Sequence, residues 1–132
     1  MKNLFKPGDI KTFMKKVSAA DTAAFQAGEV HPVYSSFALA RDAEWTCRQF
    51  VLDMKENDEE GIGTLISVNH LSPALVNDEV SIMATVEHIT GNEIMCNYEA
   101  KVGNRLIARG QQGQKIIKKT KLNRLFEDLK NG

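Results

Sequence analysis

The sequence has no excess of charge of either sign, because 17 Lys and Arg residues balance 17 Asp and Glu residues. Balanced charge gives no general attraction to nucleic acid or to an anionic membrane surface. Its apolar stretches are far shorter than the roughly 20 residues that a membrane-spanning helix needs. The N-terminus is also too polar for a signal peptide. We therefore expect a soluble, cytoplasmic protein with neither nucleic acid nor membrane as a partner.

Cysteine is scarce, and the recognisable cofactor motifs are missing. Cys47 and Cys96 form no CxxC pair, which predicts buried thiols in a reducing compartment. His31, His70 and His88 do not share helical spacing, so we expect no metal site. The sequence contains no GxSxG elbow, phosphate loop or GxGxxG motif.

The 132 residues suit one domain, spanning 1–132. The clearest helix is 36–54, which lacks Gly and Pro and carries an apolar stripe at spacings of three and four. That stripe comprises Phe37, Ala40, Cys47, Val51 and Met54. Alternation and turn residues predict the other elements: strands at 10–17, 64–71, 79–89, 93–102 and 106–118, a short helix at 19–26, a polar turn at 57–63 and a last helix at 121–130.

The order of these elements predicts an α+β domain with a mostly antiparallel sheet. One long helix cannot cover both faces of such a sheet. Pairing two sheets edge to edge in a dimer is a common remedy for an open edge.

Glu44 is the most informative position, since it falls seven residues after Phe37 and seven before Val51. This spacing places it on the apolar stripe. A carboxylate facing a core is costly unless it is paired or functional, and burial makes it more basic, as a general base or nucleophile requires. Alternatively, Glu44 lies at the edge of the stripe and pairs with Arg41 or Arg48. Periodicity alone leaves both interpretations open.

Two further polar positions flank the helix and the strand that follows it. His70 ends the predicted strand 64–71, where it could carry protons near neutral pH or simply hydrogen-bond to the backbone. Ser35 and Ser36 precede the helix, so one of them is expected to be its N-cap. A hydroxyl there could also orient a water or a substrate carbonyl.

The segments VYSSFALARDAEWTCRQF and GIGTLISVNHLSPAL resemble the fluoroacetyl-CoA thioesterase-like branch of the hot-dog superfamily. That branch has a hydroxyl residue before the long helix, a glutamate followed by tryptophan eight residues later, and a GT-containing strand leading to a histidine. Here these are Ser36, Glu44 with Trp45, and Gly63-Thr64 through His70. The likeness covers about 11–118. The family's hydroxyl residue is typically threonine, whereas this sequence has serine.

The resemblance implies a hot-dog fold, with an antiparallel sheet wrapped around one long central helix. It implies an acyl-CoA thioesterase with its active site at a homodimer interface, a dimer of dimers being the other possible assembly. Glu44, His70 and Ser36 would be catalytic. Gly63, Thr64 and Ser35 would bind substrate, the Gly63 N–H being one candidate to polarise the carbonyl. No cofactor is expected, because the CoA moiety belongs to the substrate. The alternative is a non-catalytic acyl-CoA-binding or regulatory module on the same fold.

Overall fold

The structure is a computed structural model that describes residues 1–25 and 28–132, with the side chains of 1–22 and 32–132. Eight strands and two α-helices are described within these residues. In chain order they are β1 (Ile10–Lys16), β2 (Thr22–Phe25), β3 (Gly28–Tyr34), α1 (Ser36–Met54), β4 (Glu59–Ile66), β5 (Asn69–His70), β6 (Glu79–Thr90), β7 (Glu93–Val102), β8 (Arg105–Lys118) and α2 (Lys119–Asn131).

The main sheet is antiparallel and packs on the long helix. Its strand order is β1-β6-β7-β8-β4, and β5 pairs with β8 beyond the end of β4. Helix α1 contacts all five strands of that path. The inward residues of β6 and β7 alternate as the sequence predicts and are buried: Val80, Ile82, Ala84, Val86, Ile94, Cys96, Tyr98 and Ala100. The α+β class is therefore confirmed, and so is the burial of both cysteines.

Helix α1 has the predicted bounds, because Ser35 caps it and nothing interrupts it. The Ser35 hydroxyl accepts a hydrogen bond from the Ala38 N–H at 3.0 Å, as expected of an N-cap. The buried face includes Leu39, Ala43 and Phe50, together with the predicted Cys47, Val51 and Met54. Phe37, by contrast, is 83% exposed. It lies about 200° around the helix from Leu39, so its place on the buried stripe was predicted wrongly.

The segment before α1 also differs from prediction. The helix predicted at 19–26 does not form over residues 19–25: Ala19–Asp21 is a single 3₁₀ turn, and strand β2 follows it. Residue 26 lies outside the described residues. The Asp21 carboxylate accepts bonds from the N–H and the hydroxyl of Ser18, which fixes the start of this turn. The backbone of residue 31 belongs to β3, whereas the His31 side chain lies outside the described residues.

Strand β4 begins at Glu59, so the polar turn predicted at 57–63 is in large part strand. Gly61 and Gly63 misled the prediction because glycine usually weakens a strand. Here glycine is required, since a Cβ atom at Gly61 would lie 2.4 Å from Cγ1 of Val51 in α1. The predicted strand 64–71 is interrupted after Ile66, and the chain re-forms ladder bonds with β8 at Asn69.

A partly buried polar cluster ties the first half of α1 to the segment before it. Arg41 donates to Asp21 at 2.9 Å and to Asp42 at 3.1 Å, while the Tyr34 hydroxyl donates to Asp42 at 2.5 Å. Burial acts to raise the pKa of Asp21, but hydrogen bonds from Arg41, Ser18 and Lys15 outweigh it and hold that pKa well below its ordinary range. These bonds hold the first half of α1 against Asp21 and Tyr34.

Neither described helix is long and apolar enough to cross a membrane.

Candidate active site

Glu44 lies against Gly63, where α1 crosses β4. A Cβ atom at Gly63 would be 2.2 Å from Oε1 of Glu44, so the carboxylate occupies the space that any other side chain would fill. Glu44 is half-buried, at the edge of the buried face of α1. This placement lies between the two interpretations that periodicity left open.

The arginines beside Glu44 are engaged elsewhere. Arg41 pairs with Asp21 and Asp42, and Arg48 pairs with Glu60 and donates to the Gly61 carbonyl. Within the described part of the chain, no hydrogen bond or ion pair reaches the Glu44 carboxylate. The alternative interpretation, a surface pairing with Arg41 or Arg48, is therefore not observed, and both carboxylate oxygens can accept bonds from a ligand or a water.

Two buried glutamines line the sheet beneath this carboxylate. Gln112 and Gln114 are each 1% exposed, and Gln114 donates to Gln112 at 3.0 Å. Nε2 of Gln112 lies 3.7 Å from the position of a Cβ atom at Gly63. Sequence reasoning missed this pair. The available signal was spacing, since residues 112 and 114 share one face of β8 with the buried Ile116.

Ser36 and His70 form a second pair, as Oγ of Ser36 lies 3.0 Å from Nδ1 of His70. Ser36 is the first residue of α1, and His70 is held by the pairing of β5 with β8. Burial lowers the pKa of His70 below its ordinary value, opposed by the backbone of Ser72. His70 is consequently neutral near pH 7 and can accept a proton at one ring nitrogen.

The lowered pKa of His70 predicts a pH-dependent stability. The unfolded imidazole titrates near 6.5 and the folded one below that, so between these values the unfolded state binds more protons. The contribution is fully present above about pH 6.5 and is lost as the pH falls toward the folded pKa. Urea unfolding at pH 7.5 and 5.0 should show a smaller loss of stability in His70→Gln than in the wild type.

An apolar groove lies beside Glu44 along α1. It has a volume of about 420 Å³ and is lined by Phe37, Ala40, Arg41, Glu44 and Ile66. Ala40 stands four residues from both Ser36 and Glu44, which puts the three on one side of the helix over about 12 Å. Because its side chain is a single methyl group, Ala40 leaves the floor of the groove open. The volume is within the range of small-molecule sites.

Two predicted substrate-binding residues lie apart from these pairs. Oγ1 of Thr64 lies 2.9 Å from the position of a Cβ atom at Gly113, whereas Gly63 faces Glu44. The Ser35 hydroxyl is occupied as the N-cap. The structure thus brings together Glu44 with Gly63 and Ser36 with His70, whereas the Thr64 hydroxyl lies near Gly113 and the Ser35 hydroxyl accepts the capping bond.

Two other described cavities have different linings. One, of about 260 Å³, is lined by His70, Val33 and residues 71–73. Another, of about 540 Å³, lies across β7, β8 and the break between β4 and β5, where Glu99 and Arg109 are its charged lining residues. The latter contains none of the four paired residues. In the described part of the chain, no three His, Cys, Asp or Glu side chains are placed to hold a metal ion.

Comparison with known proteins places the chain in a family. The family model of the fluoroacetyl-CoA-specific thioesterase FlK matches residues 17–120. A Thermus thermophilus protein described as a thioesterase superfamily member is 32% identical, with a TM-score of 0.92 over 98% of this chain and 96% of that chain. A search of curated proteins found no match.

More distant structures share the fold. The fluoroacetyl-CoA thioesterase FlK is 20% identical, with a TM-score of 0.86 over 96% of this chain and 98% of its own. A hot-dog-like protein from Thermanaerovibrio acidaminovorans is 24% identical, with a TM-score of 0.84 over 94% and 93% of the two chains. The predicted hot-dog fold is confirmed. The chain belongs to the fluoroacetyl-CoA-specific thioesterase family and is a thioester hydrolase.

Proposed function

We propose that the protein hydrolyses a small acyl-CoA thioester to the free acid and CoA in the groove between α1 and β4. The observation that carries this proposal is the Glu44 carboxylate. It is half-buried against Gly63 and has no protein partner among the described residues, and it stands at one end of an apolar groove. An unpaired carboxylate in such a place is suited to attack a carbonyl or to activate water.

Either route leads to the same products. In the first, Glu44 attacks the thioester carbonyl, the C–S bond breaks, the CoA thiolate takes up a proton, and water hydrolyses the resulting anhydride. In the second, Glu44 removes a proton from a water that attacks the same carbon. The N–H of Gly63 is our candidate donor to the developing oxyanion.

Ser36 and His70 are proposed to serve the other end of the groove. Neutral His70 can carry a proton to the departing thiolate or from a water, and Ser36 holds its ring through the 3.0 Å contact at Nδ1. Both lie about two helical turns from Glu44. We therefore assign their proton transfers to a path through the bound substrate or a water.

The substrate class rests on the groove and on the relatives. A volume of about 420 Å³ with mostly apolar walls suits a short acyl group beside a pantetheine arm better than a long chain. Structures of FlK variants have contained CoA with fluoroacetate, and acetyl-CoA. Those ligands were bound to FlK and not to this protein. Because FlK shares the fold, CoA thioesters are the first substrates to test here.

We propose that the functional unit is a homodimer joined along β4. This strand ends the sheet, and an open edge favours pairing with another chain. Phe37 is 83% exposed, and Ile66 and Trp45 are each 44% exposed beside the groove. Apolar exposure of this kind marks an interaction surface, and a second chain would exclude water from the site.

Thiol release from a panel of acyl-CoAs, from acetyl-CoA to long-chain members, tests the proposed activity. We expect turnover that is fastest with short acyl groups. Saturable binding without thiol release for every member would instead indicate the non-catalytic binding module.

The groove itself is tested by Ala40→Leu. The larger side chain fills the floor between Ser36 and Glu44, so we expect kcat/KM to fall by at least about tenfold, with a larger loss for longer acyl groups. Gln49→Leu is the matched control, because Gln49 lies on the same helix about 180° around the axis from Ala40. Equal effects of the two substitutions would contradict the placement of the substrate in this groove.

A further inference from the structure

Helix α2 carries an apolar face that the described part of its own chain leaves largely exposed. Its members recur at helical spacing along one side and are Leu122, Leu125, Phe126 and Leu129. None of the α2 side chains, all of which are described, is buried, and Leu125, Phe126 and Leu129 are 49%, 48% and 69% exposed. A 13-residue helix is marginal alone in water. Its apolar face therefore needs a partner surface.

The position of α2 indicates where that surface is. The Lys119 N–H donates to the Asp58 carbonyl at 2.8 Å, and Lys118 pairs with the Asp58 carboxylate at 2.8 Å. Asp58 immediately precedes β4, which ends the sheet. Helix α2 consequently starts at the edge along which we propose that two chains pair.

If a two-fold axis relates the two chains, it determines which surface of the second chain lies next to α2. In an antiparallel pairing of β4 with its copy, the Glu59 end of one strand lies beside the Ile66 end of the other. Ile66 lines the groove together with the exposed Phe37. The start of α2 in one chain is therefore next to the groove of its partner, and the helix is about 20 Å long, enough to cross it.

We propose that the apolar face of α2 packs over the α1–β4 groove of a second copy and supplies Phe126 and Leu129 to the wall of that active site. This inference rests on the dimer in the proposed function. The charges on the rest of the helix agree with this proposal. Its outer side has a net positive charge that suits solvent, since four basic residues outnumber two acidic ones: Lys119, Lys121, Arg124 and Lys130 against Glu127 and Asp128.

Disulfide trapping between chains tests the contact independently of any activity. One chain carries Phe37→Cys and the other, with a different tag, carries Phe126→Cys. The native cysteines, Cys47 and Cys96, are each only 1% exposed. We expect a mixed-tag dimer under mild oxidation, formed at least about tenfold faster than when Met14→Cys replaces Phe37→Cys. Met14 is also exposed but lies on β1, the opposite edge of the sheet. Equal rates for the two combinations would overturn the proposal.

Catalysis supplies the second readout. The double substitution Phe126→Ser and Leu129→Ser removes no core contact, since neither side chain is buried. We expect an unchanged thermal unfolding of the body and at least about a tenfold loss of kcat/KM, while Met14→Ser has no effect. If the wild type hydrolyses acyl-CoA, but no mixed-tag dimer is trapped and the double substitution does not change kcat/KM, the α2 contact is refuted and the proposed function stands. Trapping in a protein that hydrolyses no acyl-CoA would support the contact and refute the proposed function.

Discussion

Glu44→Gln should reduce kcat for acyl-CoA hydrolysis by at least about a hundredfold, the scale of losing an acid–base group. The amide keeps the shape of the side chain against Gly63 but can neither attack a carbonyl as a carboxylate does nor remove a proton from water. Binding of the acyl-CoA should change little, because the groove walls at Phe37, Ala40 and Ile66 are untouched. A stopped-time thiol assay alongside a binding isotherm separates the two quantities.

Glu99→Gln is the control for this experiment. Glu99 is an exposed carboxylate on β7 and lines a different cavity, so its substitution should leave kcat unchanged. A Glu44→Gln protein that binds acyl-CoA and turns it over at the wild-type rate would remove Glu44 from the mechanism.

Gly63→Ala should be nearly as damaging, although it adds only a methyl group. Its Cβ atom would lie 2.2 Å from Oε1 of Glu44, so the carboxylate must move. A displacement of about 1 Å at a reacting group can cost on the order of a hundredfold in rate. We expect a loss of ten- to a hundredfold in kcat, measured by thiol release, with little change in the urea midpoint, because Glu44 is at the edge of the core and can swing into the groove.

Gly61→Ala provides the contrast on the same face of the same strand. Its Cβ atom would meet Cγ1 of Val51 at 2.4 Å, a contact inside the core that cannot move freely. Overpacking of this kind costs about 1–3 kcal/mol, so we expect lower stability as its main effect. A Gly63→Ala variant that loses stability as Gly61→Ala does, and keeps its kcat, would show that Gly63 serves packing.

The helix and the hairpin strands could be predicted because their signals are local. An uninterrupted run and a serine cap define α1, and simple alternation defines β6 and β7. Glu44 was identifiable for the same reason, since its distance from Val51 is a matter of helical period. The resemblance to a thioesterase family then gave Ser36 and His70 a joint meaning that neither has alone, and the structure places them 3.0 Å apart.

What the sequence could not predict depends on contacts between distant segments. Glycine normally marks a turn, so Gly61 and Gly63 suggested a loop; only the approach of α1 shows why β4 needs them. Phe37 was placed in the core because it fits the period of Val51, but the sheet lies against Leu39 and Ala43 instead. The pair of Gln112 and Gln114 was missed because a glutamine in a strand is ordinarily assigned to solvent.

A double-mutant cycle on Glu44→Gln and Gly63→Ala tests the central claim most directly. If Gly63 acts by leaving room for the Glu44 carboxylate, the double variant should be no slower than Glu44→Gln alone, because residues that act as a unit are not additive. Measured thiol-release rates that fall by the product of the two single losses would contradict this account of the site.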